Sequence, residues 1–167
     1  MAVREVLLFP HKDLKKVCAP VAGRAEEAGR VAADLLDTMR DHPGCVGIAA
    51  PQLGELVRMV VVDVTDHPKA TRSNGELVLC DPVVVRSRGS ELAREGCLSL
   101  PRLTANVRRA TAIEVAATTP AGEELRLDSE GFEARCLLHE IDHLDGLLFL
   151  DRVDSLATDV FRRKTYR

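Results

Sequence analysis

The chain has 167 residues and a formal net charge of -3 at pH 7. That length suits one domain able to bury roughly two thirds of its unfolded surface, and the near-balanced charge gives no global reason to expect sequence-specific nucleic acid binding. Five cysteines, scattered and odd in number, argue against a disulfide framework and for a reducing compartment.

The first apolar run, Val6-Leu7-Leu8-Phe9, is stopped by Pro10 and is too short for a signal peptide. No stretch approaches the ~20 apolar residues of a membrane span, so a cytoplasmic protein with no membrane partner is expected. His11 to Val21 reads as an irregular lead-in. From Ala25 to Arg40 the apolar residues Ala28, Val31, Ala32, Leu35, Leu36 and Met39 recur at helical spacing, which predicts one amphipathic helix with its charges on a solvated face. Asp41-His42-Pro43-Gly44 ends it. Small residues then crowd Gly44 to Gly54, where Gln52 carries the only side-chain amide. Such a stretch lets the backbone approach another group closely, although taken alone it is more often a tight packing site.

Val57 to Val64 is β-branched and apolar on both faces, which predicts a central strand. Thr65 to Gly75 is polar and predicts a surface loop. Leu77 to Cys80 and Val83 to Val85 read as two strand segments separated by Asp81-Pro82, with Pro82 indicating an edge or a bend. Glu91 to Leu103 contains Glu95-Gly96-Cys97-Leu98-Ser99. A cysteine beside glycine at a strand end can present its sulfur and the neighbouring amides to a site, though an isolated free cysteine is more commonly core. Ala112 to Ala117 and Glu124 to Leu127 form an antiparallel meander turning at Thr118 to Gly122.

Arg135 to Gly146 organises the rest. In a helix His139 and His143 lie one turn apart on nearly the same face, so both can hold one metal ion. Glu140 sits about 60° around from His143, placed to address a water without ligating. Asp128 or Ser129 can cap the start, Glu130 and Glu133 suit the positive end of the dipole, and Gly146 supplies a stop. Cys136, Leu137, Leu138, Ile141 and Leu144 make the helix apolar nearly all round, as in a buried element. Polar groups inside it then require compensation; the spacing favours a metal over a chance His-Glu-x-x-His match. Leu147 to Leu150 packs back on the sheet, and Leu156 to Arg167, with Arg162, Arg163, Lys164 and Arg167, reads as a solvated basic tail.

A catalytic metal commonly takes three protein ligands and leaves one position for water. No histidine follows His143. Asp145, Asp151, Asp154 and Asp159 remain as donors without a recognisable motif, and Cys97 is the better candidate. Imidazole suits iron, zinc, nickel and cobalt alike, while thiolate softens the site toward zinc. Short strands with a buried site-bearing helix indicate an α+β fold.

The order Gly47-x-Ala49-Ala50-Pro51-Gln52, then Glu95-Gly96-Cys97-Leu98-Ser99, then His139-Glu140-Ile141-Asp142-His143-Leu144-Asp145-Gly146 closely resembles the peptide deformylase family. The likeness runs the full chain, residues 1–167, as one domain. It implies antiparallel sheets packed around a buried central helix that carries the His-Glu-x-x-His motif. It also implies Cys97, His139 and His143 as metal ligands, Glu140 as acid/base, and Gln52 with the Leu98 amide as the oxyanion site. Ferrous iron is the implied metal in the cell, with zinc, nickel or cobalt able to replace it in purified protein. The implied reaction removes the N-formyl group from the formyl-methionine of newly made polypeptides, releasing formate. Gly47 and Gly96 would line a formyl site too small for larger acyl groups, and Val46 and Cys136 the methionine pocket. If the substrate is the nascent chain, the ribosome near its exit tunnel becomes a partner, with the basic tail as a contact. Cys45 stands where the family usually has glycine, and Leu138 where many relatives have glutamine. A zinc endopeptidase would share the helix but need neither Gln52 nor the segment around Cys97. A non-catalytic metal-binding protein could lose Glu140, which this chain keeps.

Overall fold

Alternate side chains of one short strand set the architecture, which the computed structural model describes for residues 2–164. Strand β2 (Met59–Val62) is buried along its whole length. Met59 and Val61 pack with Val31, Leu35 and Met39 of helix α1 (Ala25–Asp41). Val60 and Val62 pack with Leu137 and Leu144 of helix α2 (Gly131–Leu144). A strand apolar at every position can satisfy two helices at once, because successive side chains point to opposite faces.

The other strands are β1 (Gly47–Ala49), β3 (Leu77–Arg88), β4 (Glu91–Cys97), β5 (Leu100–Arg109), β6 (Ala112–Thr118), β7 (Glu124–Glu130) and β8 (Val160–Arg162). They form a five-stranded sheet in the order β1-β2-β3-β6-β7 and a three-stranded sheet in the order β4-β5-β8. Every pairing between them is antiparallel. The first sheet meets α2 through the apolar cluster around Val115 and Leu137. The second meets its opposite side through polar side chains, including Arg135 with the Glu91 and Val107 carbonyls. Leu148 and Phe149 turn back onto β4 and β5 beside Leu100 and Val107. Among the described residues, no helix is long and apolar enough to cross a membrane.

Four expectations need correction. The segments on either side of Asp81-Pro82 are not two strands but one, β3, placed between β2 and β6, so that of the two readings of Pro82 the bend holds and the edge does not. Its register shifts between Cys80 and Val83, a bulge in which the missing N–H of Pro82 leaves no ladder bond broken. Asp81 takes a φ of 49° there, and its carboxylate accepts the Val21 and Ala22 N–H groups at 2.8 and 3.1 Å. Neither Asp128 nor Ser129 caps α2. Both belong to β7, which runs straight into the helix with Glu130 at the cap position and no side-chain cap. Gly131, with φ 63°, makes that abrupt change of direction without a Cβ clash. Not all charges of α1 are solvated either: Asp34 is buried and pairs with Arg4 at 2.9 Å. Finally, the C-terminal tail is not simply solvated, because Val160–Arg162 adds a strand to β5. Arg167 lies outside the described residues.

Gly146 ends α2 with φ 72°, and a Cβ there would fall 2.5 Å from the Lys15 carbonyl oxygen. Gly146→Ala is therefore expected to lower unfolding stability by about 1–3 kcal/mol, measured by urea denaturation. A change below ~0.5 kcal/mol would mean that the lead-in segment yields instead.

Candidate metal centre

His139 and His143 project from the same side of α2, their ring centroids 5.2 Å apart. Cys97 closes β4 and pairs with Leu100 across the two-residue turn Leu98-Ser99, after a register shift at Gly96. The thiol faces His143 of α2. One ligand atom from each of Cys97, His139 and His143 lies within 4.8 Å of the others, and all three residues are buried. Cys97 Sγ is 3.5 Å from His143 Nε2, close to the edge of a tetrahedron with metal–sulfur near 2.3 Å and metal–nitrogen near 2.05 Å, about 3.5 Å. Two imidazoles and one thiolate suit a divalent transition metal, and three protein donors leave a position for a reacting molecule.

Glu95 orients this set. Its Oε1 is 2.8 Å from His139 Nδ1, which leaves Nε2 of that ring free to take a metal. The same carboxylate takes both Nε and Nη2 of Arg109, at 2.9 and 3.0 Å, and Nη1 of Arg135 at 2.7 Å. Arg109 also bonds Asp142 of α2, which Arg152 grips at 2.8 Å. Burial disfavours charge on Glu95, but the bonds to His139 and Arg109 hold its carboxyl well below the usual range. His139 is likewise opposed by burial, yet its bonds to Cys97 and Glu95 raise its affinity for positive charge well above normal. Burial and then His139 push His143 well below its ordinary value, so it stays a neutral donor.

Glu140 is not one of the three. Burial in the cleft floor pushes its carboxyl up to about 7, with His139 opposing and Glu95 adding to the rise. Oε2 of Glu140 is buried with no hydrogen-bond partner, a condition shared among the described residues only by His143 Nδ1. Buried polar atoms are nearly always paired, so this oxygen is poised for a group that arrives. Gly47 explains how the carboxylate fits: a Cβ there would lie 3.1 Å from both Cγ and Oε1 of Glu140. Gln52 comes from a one-turn 3-10 helix after β1. Its Oε1 accepts the Ala49 N–H at 2.9 Å, and its Nε2 reaches Ser99 Oγ at 3.1 Å and Cys97 Sγ at 3.5 Å. The N-terminal segment ties down both neighbours, with the Leu7 N–H on the Gln52 carbonyl and the Phe9 N–H on that of Ser99.

A cleft of about 270 Å³ opens onto these groups. It gathers Val46, Gly47, Gln52, Gly96, Leu98 and Cys136 with Cys97, His139 and Glu140, while His143 lies deeper. Cys45, half-buried, points its thiol at the Gly47 carbonyl 3.2 Å away, and burial raises that thiol to about 11. Gly96 lies in the wall, but the group resting on it is the Arg163 guanidinium. A larger cleft, about 790 Å³, lies elsewhere, against β3, β6 and β7. Its buried acid Glu133 is fully engaged by Asn74 and Ser129, so it offers no comparable chemistry. Sequence reasoning assigned no role to Glu95, Ser99, Arg109, Arg135 or Asp142. The signal was available for Arg135 and Asp142, buried charges on a helix that is apolar nearly all round and not part of the His139, Glu140 and His143 spacing.

Two histidines and a glutamate on one helix, a cysteine on a strand end and an amide beside it form a group that could hold one metal ion, the donor set expected of a mononuclear metallohydrolase, on a mixed helix and antiparallel-sheet scaffold. A family model for polypeptide deformylase matches residues 3–159. The peptide deformylase of Pseudoalteromonas translucida (strain TAC 125) is 38% identical over 164 residues, covering 98% of this chain and 95% of that protein. That of Rhizobium meliloti (strain 1021) is 39% identical over 165 residues, covering 98% and 92%. The crystal structure of a peptide deformylase from Legionella pneumophila superposes with a TM-score of 0.83 at 37% identity, over 93% of this chain and 88% of that one. The crystal structure of the Thermus thermophilus peptide deformylase gives 0.82 at 36% identity, over 91% and 86%. The chain belongs to the polypeptide deformylase family.

Proposed function

We propose that this protein removes the formyl group from the N-formyl-methionine of newly made polypeptides. The observation that carries this reading is the unpartnered Glu140 Oε2 beside the Cys97, His139 and His143 donors. Cys97, His139 and His143 would hold a divalent ion, which when bound would supply Lewis acidity and lower the pKa of a nearby water toward neutrality. Glu140 takes a proton from the water that adds to the formyl carbon. Negative charge then develops on the formyl oxygen, where Gln52 Nε2 and the Leu98 N–H are the donors. Leu98 is the first residue of its turn, so its N–H is not spent on the turn's own closing bond. Glu140 returns the proton to the amine as the carbon–nitrogen bond breaks, and formate and a free N-terminus leave.

The remaining roles belong to the same reading. Gly47 and Gly96 keep the formyl end narrow, and Val46 and Cys136 line the methionine pocket, where burial raises the Cys136 thiol far above its ordinary value and keeps it inert. The buried helix α2 acts as the metal-bearing centre of one domain spanning residues 1–167, working in the cytoplasm. Ferrous iron is the metal in the cell, with zinc, nickel or cobalt as substitutes. The ribosome near its exit tunnel is a partner; unchanged co-sedimentation after truncation at Phe161 would argue against its contact through the tail.

The test is formate release from a formyl-methionyl peptide by protein loaded anaerobically with ferrous iron, with casein as control. Formate production with casein intact supports deformylation, and absence of formate from fully metallated protein removes it. Gln52→Ala is expected to lower kcat on the order of 10²-fold, as loss of one oxyanion donor does, with metal content unchanged by elemental analysis. A kcat within about threefold of the parent would place the oxyanion elsewhere.

A further inference from the structure

We propose that the mouth of the cleft selects formyl peptides carrying acidic side chains in the residues after methionine, through a cationic rim of Lys69, Arg94 and Arg163. The inference rests on the deformylase reading of the site. All three side chains line the same cleft as Cys97 and Glu140, and all three residues are exposed. Among the described residues none of the three has an ion-pair partner. The carboxylates of that cleft are Glu95 and Glu140, both buried, and Glu95 is consumed by His139, Arg109 and Arg135. Positive charge at the mouth is therefore left for whatever passes through, in a chain whose formal net charge is -3.

The cations are placed by folded structure. Arg94 is fixed by Asn106 Oδ1 at 3.0 Å and Thr104 Oγ1 at 3.2 Å, and its guanidinium stands 3.8 Å from the Phe161 ring centroid. Phe161 belongs to β8, whose pairing with β5 continues into the bond from the Arg163 N–H to the Arg102 carbonyl at 2.8 Å. This delivers the Arg163 guanidinium onto the face of Gly96, where a Cβ would collide with Nη2. Lys69 approaches from the loop after β2, its Nζ 6.0 Å from the Phe132 ring centroid. A peptide whose formyl end reaches Glu140 must leave the cleft past these groups. Its acidic side chains then meet uncompensated cations, and its basic ones are repelled.

The experiment uses C-terminally amidated formyl-Met peptides with Glu, Gln or Lys at the third and fourth positions, so that carboxylates come only from side chains. For the metallated protein at low salt, kcat/KM is expected to favour Glu over Lys by about tenfold, from exposed pairs each worth a fewfold. The difference falls mainly on KM, because the tail is held equally before and during reaction. It shrinks toward one near 1 M salt, where screening acts within about 3 Å. Arg163→Glu, and separately Lys69→Glu, should each reduce the ratio about threefold or more. Taking the ratio within one sample cancels any loss of active protein. A ratio near one for the parent, or one unmoved by both substitutions, overturns the rim while leaving deformylation standing. No hydrolysis of any of the three peptides would instead remove the underlying reading.

Discussion

Glu140→Gln is expected to lower kcat for formate release by about 10²–10⁴-fold, the worth of a positioned acid/base, while the bound metal stays. Glutamine keeps the volume packed against Gly47 but accepts no proton. The carboxylate stands outside the cluster of Cys97, His139 and His143, so its loss removes no ligand. Burial has already raised its affinity for a proton to a pKa of about 7, which suits a group that takes and returns one near neutral pH. Steady-state kinetics with elemental analysis of the same sample would check both halves. A variant retaining kcat within tenfold would assign proton transfer to another group. A variant stripped of metal would make Glu140 part of the binding set.

Glu95→Gln should be the most damaging change away from the reacting atoms. The substitution keeps the shape but leaves Arg109 and Arg135 buried without their shared carboxylate. Breaking a buried ion pair by removing one partner typically costs about 3–5 kcal/mol. For a domain of this size, that corresponds to a Tm lower by roughly 6–20 °C. It also weakens the acceptor that orients His139, so metal affinity should fall about 10–100-fold. Thermal denaturation and competition with a chelator would measure the two effects. Unchanged Tm with weakened metal would confine Glu95 to orienting the ligand. An unchanged pair would mean that water replaces it.

Much of this site was legible before folding because its signals are local. The spacing of His139, Glu140 and His143 needs only the helical repeat, and the run from Met59 to Val62 declares burial on both faces by its composition. The span of α1 followed from its apolar period, ending one residue beyond the predicted Arg40. Failures came where distant segments decide a local conformation. Ser129 is a good cap by type, but β7 pairs with β6 to its last residue and leaves no room for a capping turn. Pro82 reads as an edge or a bend, and only the fold picks the bend: Asp81 is held in a bulge by Val21 and Ala22, about 60 positions away in the chain.

By itself, therefore, the sequence determined the two helices, the buried β2 strand and the pairing of His139 with His143 on one face. Each of these depends on the order of residues within one segment. Tertiary structure decided the rest. It turned Cys97 onto α2, set Glu95 against His139 across 44 positions, placed Gln52 beside Ser99 across 47 and brought Arg163 over Gly96. A period of 3.6 or 2 tells which face of an element is apolar, but not which polar group on a remote strand will oppose a given residue. That depends on how two sheets and a helix close around a common core, where burial leaves each charge stable only beside the partner that folding supplies.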